Sequence, residues 1–211
     1  MKMAKSEEYF AIDSFDLDRG FLANPLMAVI TLARFKFVAK MLSSQDRVLD
    51  IGCGQGVGSY FYSRFASKVT GLDLYADQER AAARFRADNL SFVSGDILAP
   101  PPPIVDDRYD AITCVDVIEH FHQPDGERII ALYRDLLSEG GMMILGTPSR
   151  LSQAYRSASS RDSHFYEYEP MELRALCDRP FKRTLLFSMN DEVVHTGFDK
   201  LAWFFFVLCF R

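Results

Sequence analysis

The sequence predicts an α/β protein, with a mostly parallel sheet carrying helices on both faces. Three observations predict it. Short apolar, β-branched runs alternate with helix-patterned stretches through five units, the first strand beginning at Val48 and the fifth ending at Thr147. The first run, Val48-Leu49-Asp50-Ile51, passes directly into Gly52-Cys53-Gly54-Gln55-Gly56-Val57-Gly58, with glycine at every second position, and then into helical spacing from Ser59. Finally, Leu201 to Phe210 is continuously apolar, as a strand covered on both faces requires.

Composition bounds the possibilities. A chain of 211 residues with 48% hydrophobic and 25% charged residues can bury a sizeable core. A net charge of −5 disfavours nucleic acid as a partner, because phosphate-tracking surfaces are basic. The four cysteines, Cys53, Cys114, Cys177 and Cys209, form no C-x-x-C pair and read as small buried hydrophobes in a reducing compartment. Residues 1–8 have no apolar signal core, and no apolar run reaches the ~20 residues of a membrane span. The expectation is a cytoplasmic protein without a transmembrane segment, for which peripheral membrane contact stays open. Its oligomeric state is not legible.

Residues 1–23 read as an N-terminal lead, and 24–211 as a single domain. Asn24-Pro25 is an N-cap followed by proline at the first helical position, opening a helix through Leu26, Ile30, Phe37 and Met41. That helix either packs on the sheet or forms a lid that brings Arg34 to an anionic group. The first strand is 48–51. Lys68 to Asp73 is the second, and its terminal acid stands where Rossmann-like sheets accept ribose hydroxyls. Gln78 to Ala87 has helical composition. Leu90 to Ile97 holds a third strand and its exit, where Asp96 is either a ligand-facing carboxylate or a plain turn acid after Gly95. Pro100 to Pro103 is a stiff spacer.

Tyr109 to Val115 is the fourth strand, running into Asp116-Val117-Ile118-Glu119-His120-Phe121-His122. Ionisable side chains this dense at the carboxyl end of a strand mark a place for chemistry, although Glu119 and His120 could equally hold backbone groups at a helix start. Glu127 to Leu137 is an amphipathic helix with a glycine stop at 138–141, and Met142 to Thr147 is the fifth strand. A polar loop, 149–163, leads to His164-Phe165-Tyr166-Glu167-Tyr168 and a short helix from Glu169-Pro170 through Leu176. Phe181 to Met189 and Leu201 to Phe210 are a closing antiparallel pair.

The glycine loop selects its ligand. A dinucleotide fingerprint G-x-G-x-x-G would need glycine at position 57, which is Val57, or, started at Gly54, a small residue at 59, which is Ser59. Asp50 just before the turn is a poor neighbour for pyrophosphate and a good one for a cationic ligand bearing an ammonium group, such as S-adenosylmethionine.

The pattern Asp50-x-Gly52-x-Gly54-x-Gly56 resembles motif I of the class I S-adenosylmethionine-dependent methyltransferases. With Val115 to His120, Leu137 to Pro148 and His164 to Pro170, the chain is most similar to the ubiquinone-biosynthesis type of O-methyltransferase. The resemblance implies a Rossmann-like seven-stranded sheet, mostly parallel with an antiparallel terminal strand. It also implies a cofactor set of Arg34, Asp50, Gly52, Gly54, Gly56, Asp73, Leu74, Asp96, Ile97 and Val115. In that family the positions of Asp116, Glu119 and His120 are associated with magnesium, and this chain has aspartate where the family often has glutamate.

The expected reaction is methylation of a small hydroxylated acceptor, phenolic, quinone-precursor or glycan-type. Glu119, His120 and His164 are the candidate catalytic groups, and either imidazole is a possible proton acceptor. Phe121, Phe165, Tyr166 and Tyr168 are expected near the pocket mouth. His122 and His195 read as surface or structural. The rival readings are a nicotinamide-dependent oxidoreductase on a similar sheet and a non-catalytic binding partner that keeps the fold.

Overall fold

A computed structural model describes residues 24–74, 83–99, 108–155 and 162–211. The strands are β1 (Arg47–Ile51), β2 (Lys68–Asp73), β3 (Leu90–Ser94), β4 (Tyr109–Val115), β5 (Leu137–Pro148), β6 (Arg183–Asn190), β7 (Val193–His195) and β8 (Phe204–Phe210). They form one sheet in the order β3-β2-β1-β4-β5-β8-β6-β7. β1 to β5 run parallel, while β8 lies antiparallel between β5 and β6.

The expected seven strands are therefore eight. The added strand, β7, folds back on β6 through a turn at Asp191, whose φ of 51° is left-handed. Three paired residues are too few for a period-2 pattern, so nothing in the sequence announced it.

Alternation along the strands builds two cores. Leu49, Ile51, Ile112, Cys114, Leu145 and Val207 face one side, against Ile129, Ile130 and Tyr133 of α3 (Gln123–Arg134) and Leu173 and Cys177 of α4 (Pro170–Cys177). Val48, Val69, Ala111, Ile144, Phe206 and Leu208 face the other, against Ile30 and Val38 of α1 (Pro25–Met41) and Tyr62 of α2 (Val57–Ser63). Each such aliphatic side chain contributes about 1.5–3 kcal/mol on leaving water. All four cysteines are free, and three are buried.

Local chemistry sets the helix ends. The Asn24 side chain accepts from the Met27 N–H at 3.2 Å, and Pro25 opens α1. In α4, Glu169 and Glu172 form a reciprocal capping box. The glycine stop expected for α3 does not exist. The helix ends at Arg134, because Leu136 and Leu137 are already committed to the sheet: the Leu136 carbonyl accepts from Tyr109 N–H at 2.9 Å, and Leu137 registers with Tyr109. Gly140 and Gly141 lie inside β5 instead, at a register shift opposite Tyr109 and Ala111.

In the expected loop at 149–163, Arg150–Tyr155 forms a 3-10 helix. Most of the expected helix at 78–87, the lead 1–23, and the proline run lie outside the described residues. Among the described residues no helix is long and apolar enough to cross a membrane.

The strand order reverses between β1 and β4: β2 and β3 extend one way from β1, while β4 and β5 extend the other. A crevice at the carboxyl ends of β1 and β4 is where open α/β sheets take ligands.

Candidate functional site

The turn after β1 is shaped by backbone conformations that side chains resist. Gly52, Gly54 and Gly56 have φ of 69°, 52° and 83°. A Cβ on Gly52 would overlap the two methyls of Val117, so the turn sits flush against the segment leaving β4. The Leu72 carbonyl accepts from Gly52 N–H at 2.7 Å and Cys53 N–H at 3.2 Å, and Asp73 Oδ2 accepts from Gly54 N–H at 2.9 Å. The tip of β2 thereby holds the loop open.

Asp50 is not bare toward the crevice. Its Oδ2 accepts from Ser59 Oγ and its Oδ1 from Thr113 Oγ1, both at 2.6 Å, and the residue is only 5% exposed. Burial pushes its carboxyl up to about 6, against the two hydroxyls, which favour the charged form, and with a small upward push from Asp73. The carboxylate thus locks β1, α2 and β4 together, and its effect on a ligand would run through the loop and the local negative potential. The other cofactor candidates differ in setting. Ile97 and Val115 are buried, and Leu74 is exposed. Asp96 is exposed, with Oδ1 accepting from Leu98 N–H at 2.8 Å, the arrangement of a turn acid.

Across the crevice, α1 lays Arg34 over the end of β4. Its Nη1 donates to both Asp116 oxygens, at 2.8 and 2.9 Å, and its guanidinium carbon stands 4.0 Å from the centre of the Phe204 ring. The Arg34 Nε is buried and has no hydrogen-bond partner among the described residues. Asp116 itself has φ of 56°, a conformation uncommon for a side-chain-bearing residue and characteristic of functional turns.

The 3-10 turn Ile118–His120 then presents the second cluster. Glu119 is 1% exposed; its Oε2 accepts from Thr147 Oγ1 at 2.8 Å. Its carboxyl is raised above the ordinary range mainly by burial, with His120 and His164 pulling down and Asp116 pushing up. The Glu119 carbonyl accepts from the N–H groups of Phe165 (2.8 Å) and Tyr166 (3.1 Å), which straps the 163–167 segment onto the turn. His120 Nδ1 lies 3.1 Å from the Ser163 carbonyl, and the His120 and His164 rings meet edge to face at 5.0 Å. Donor atoms of Glu119, His120 and His164 all lie within 4.8 Å of one another.

Of the expected metal set, Glu119 and His120 are together, whereas both oxygens of Asp116 are turned to Arg34. His164 stands in the cluster in its place. Phe165 is 61% exposed with its ring 5.0 Å from that of His122, and Phe121 is half-buried. Tyr168, expected near the mouth, is wholly buried in the core. His195 lies away in β7, 3.2 Å from Asn190 Oδ1.

Sequence reasoning missed the residues that hold the others. Ser59 and Thr113 hold Asp50, Thr147 holds Glu119, Phe204 underlies Arg34, and Glu167 holds His164. None of these partners had a signal in the sequence: the first four come from distant segments, and Glu167 pairs with His164 within an irregular stretch where a spacing of three carries no helical meaning.

A family model described as a methyltransferase domain matches residues 48–141. The ubiquinone biosynthesis O-methyltransferase of Coxiella burnetii is 26% identical over 138 residues, which is 60% of this chain and 54% of that protein. The chain spans about half the length of the curated relatives it matches. Among solved structures, a possible histamine N-methyltransferase from Thermotoga maritima superposes with a TM-score of 0.72 at 19% identity, covering 99% of this chain and 100% of that one. The N-methyltransferase NodS of Bradyrhizobium japonicum, solved with S-adenosylhomocysteine, gives 0.63 at 17% identity, covering 98% and 97%. These likenesses establish the fold.

Proposed function

We propose that this chain, which has the fold of the class I S-adenosylmethionine-dependent methyltransferases, is an enzyme of that class that methylates a hydroxyl of a small acceptor. The observation that carries the hydroxyl assignment is the convergence of Glu119, His120 and His164 beside the β1/β4 crevice. A nitrogen acceptor can attack through a free lone pair, whereas a hydroxyl must lose its proton, and a buried cluster with two imidazoles supplies the acceptor for it. The names of the curated relatives agree.

The crevice fits the cofactor on its own features. The orphaned Arg34 Nε is a donor suited to a carboxylate, and Asp73 stands at the β2 tip where ribose hydroxyls are bound. S-adenosylmethionine supplies an electrophilic sulfonium methyl. The protein's share is to align the acceptor oxygen, exclude water and remove a proton. The exposed rings of Phe165 and His122, 5.0 Å apart, favour an acceptor with a flat ring.

Magnesium on Asp116, Glu119 and His120 does not fit this arrangement. Asp116 is engaged by Arg34, and the groups that do converge are one carboxylate and two imidazoles, whereas magnesium favours oxygen ligands. No step is assigned to it.

Incubating the protein with methyl-labelled cofactor and a panel of catechols, phenols and sugars tests the reading. The expected product is a methyl ether, and His164→Ala should cut kcat about 100-fold or more while leaving cofactor affinity near wild type. Methyl transferred only to nitrogen, or full activity in the variant, would contradict it.

A further inference from the structure

We infer that the Tyr62 hydroxyl is a binding group for the methyl donor, donating a hydrogen bond to the amino-acid carboxylate that Arg34 Nε also serves. This rests on the methyltransferase reading and adds to it a residue outside the glycine motif. Tyr62 sits on α2, wholly buried in the core that Ile30, Val38 and Val48 form on the α1 side of the sheet. An aromatic ring is at home there, but a hydroxyl is not. Its oxygen is out of reach of solvent and has no hydrogen-bond partner among the described residues. Burying such a group unpaired costs stability, and phenylalanine would fill the same space without that cost.

The hydroxyl stands at the crevice end of α2. Helical side chains lean toward the N-terminus of their own helix, and α2 begins where the glycine loop ends, at Gly56. A Cβ on Gly58, one turn back from Tyr62, would stand 3.4 Å from the hydroxyl and 3.2 Å from the Phe35 ring. The hydroxyl therefore lies against the first turn of α2. Phe35 follows Arg34 in sequence, and its ring meets that of Tyr62 edge to face at 6.1 Å.

Burial, and then the charges of Asp50 and Asp116, push the Tyr62 phenol well above its ordinary range, so it keeps its proton and is a donor. Neither carboxylate accepts that proton. Asp50 is held by Ser59 and Thr113, and Asp116 by Arg34. Two buried donors thus stand unspent on the α1 side, Arg34 Nε and the Tyr62 hydroxyl. Both neighbour Asp116, one through hydrogen bonds and the other through its charge. A guanidinium N–H and a phenol O–H together suit an acceptor with two oxygens, which the carboxylate of the donor's amino-acid end supplies. The way in is past the Arg34–Asp116 pair, whose side chains are 15% and 33% exposed. The Tyr133 hydroxyl also lacks a partner among the described residues, but it lies in the core on the opposite face of the sheet from α1.

Calorimetric titration of Tyr62→Phe with S-adenosylhomocysteine and with methylthioadenosine, which lacks the amino-acid end, tests this beside thermal unfolding of the ligand-free protein. Affinity for S-adenosylhomocysteine should fall about tenfold, as for a lost hydrogen bond to a charged group, with that for methylthioadenosine within about twofold of wild type. The ligand-free variant should melt at the wild-type temperature or above it, because it no longer buries an unpaired hydroxyl. Three results overturn the role of Tyr62 and leave the methyltransferase reading standing: undiminished affinity for S-adenosylhomocysteine, an equal loss for both ligands, or a ligand-free melting temperature below wild type. If methylthioadenosine binds too weakly to measure, the first ligand and the melting temperatures decide. Wild-type protein that binds no S-adenosylhomocysteine overturns both.

Discussion

At the scale of single residues, Asp50 shows how one side chain serves structure and site together. Its acidity was legible as part of the glycine motif, but its partners were not. Thr113 lies opposite it only because β1 and β4 register Asp50 with Thr113, a pairing between positions far apart in sequence. Its folded-state carboxyl titrates near 6 against an ordinary 3.8. An acid raised in this way binds its proton more tightly when folded, so its contribution to stability is complete below about pH 4 and is lost as pH rises through about 6. The loss is about 3 kcal/mol at 1.36 kcal/mol per unit. Urea unfolding from pH 4 to 7 should show that decline in wild type and a flatter profile in Asp50→Asn; matching profiles would refute the burial argument. Gly52 gives a sterner test. Alanine there faces both a left-handed φ and the Val117 methyls, so Gly52→Ala should cost about 1–3 kcal/mol in thermal or urea unfolding and weaken donor binding.

At the scale of elements, α1 matters less as a packed helix than as the carrier of Arg34. The sequence placed the helix through its Asn24-Pro25 start, yet which of its charged residues turned inward depended on Phe204 and Asp116, from two distant strands' ends. Replacing Arg34 by alanine should weaken binding of the methyl donor about tenfold to a hundredfold, the worth of a charge-assisted hydrogen bond, as measured by calorimetry. Arg34→Lys should not restore it, because an ammonium lacks the planar fork. Unchanged affinity in both would remove Arg34 from the site. The contact of α3 with the core is testable in sign alone. Alanine normally favours a helix over glycine by ~1 kcal/mol. At Gly126, however, its Cβ would run into the Tyr168 hydroxyl, so Gly126→Ala should lower rather than raise the melting temperature. Elements whose signal was intrinsic, such as β2 and β4, were legible to the residue. The end of α3 and the start of β5 were not, since burial of Leu136 and Leu137 against Tyr109 outweighed the glycines that followed.

At the scale of the molecule, the sheet brings four strand tips and one crossing helix to a single edge, and the chemistry collects there. The alternation of strands and helices was enough to foresee the parallel half. The antiparallel half was foreseen only as a closing pair of strands; the insertion of β8 between β5 and β6 and the outer strand β7 were not. The crevice at the β1/β4 reversal is the central claim: it binds a methyl donor. Isothermal titration with S-adenosylmethionine, S-adenosylhomocysteine and NADH tests it most directly. One-to-one binding of the two sulfur nucleosides and none of NADH is the result expected. Heat from NADH alone, or from none of the three, would contradict it.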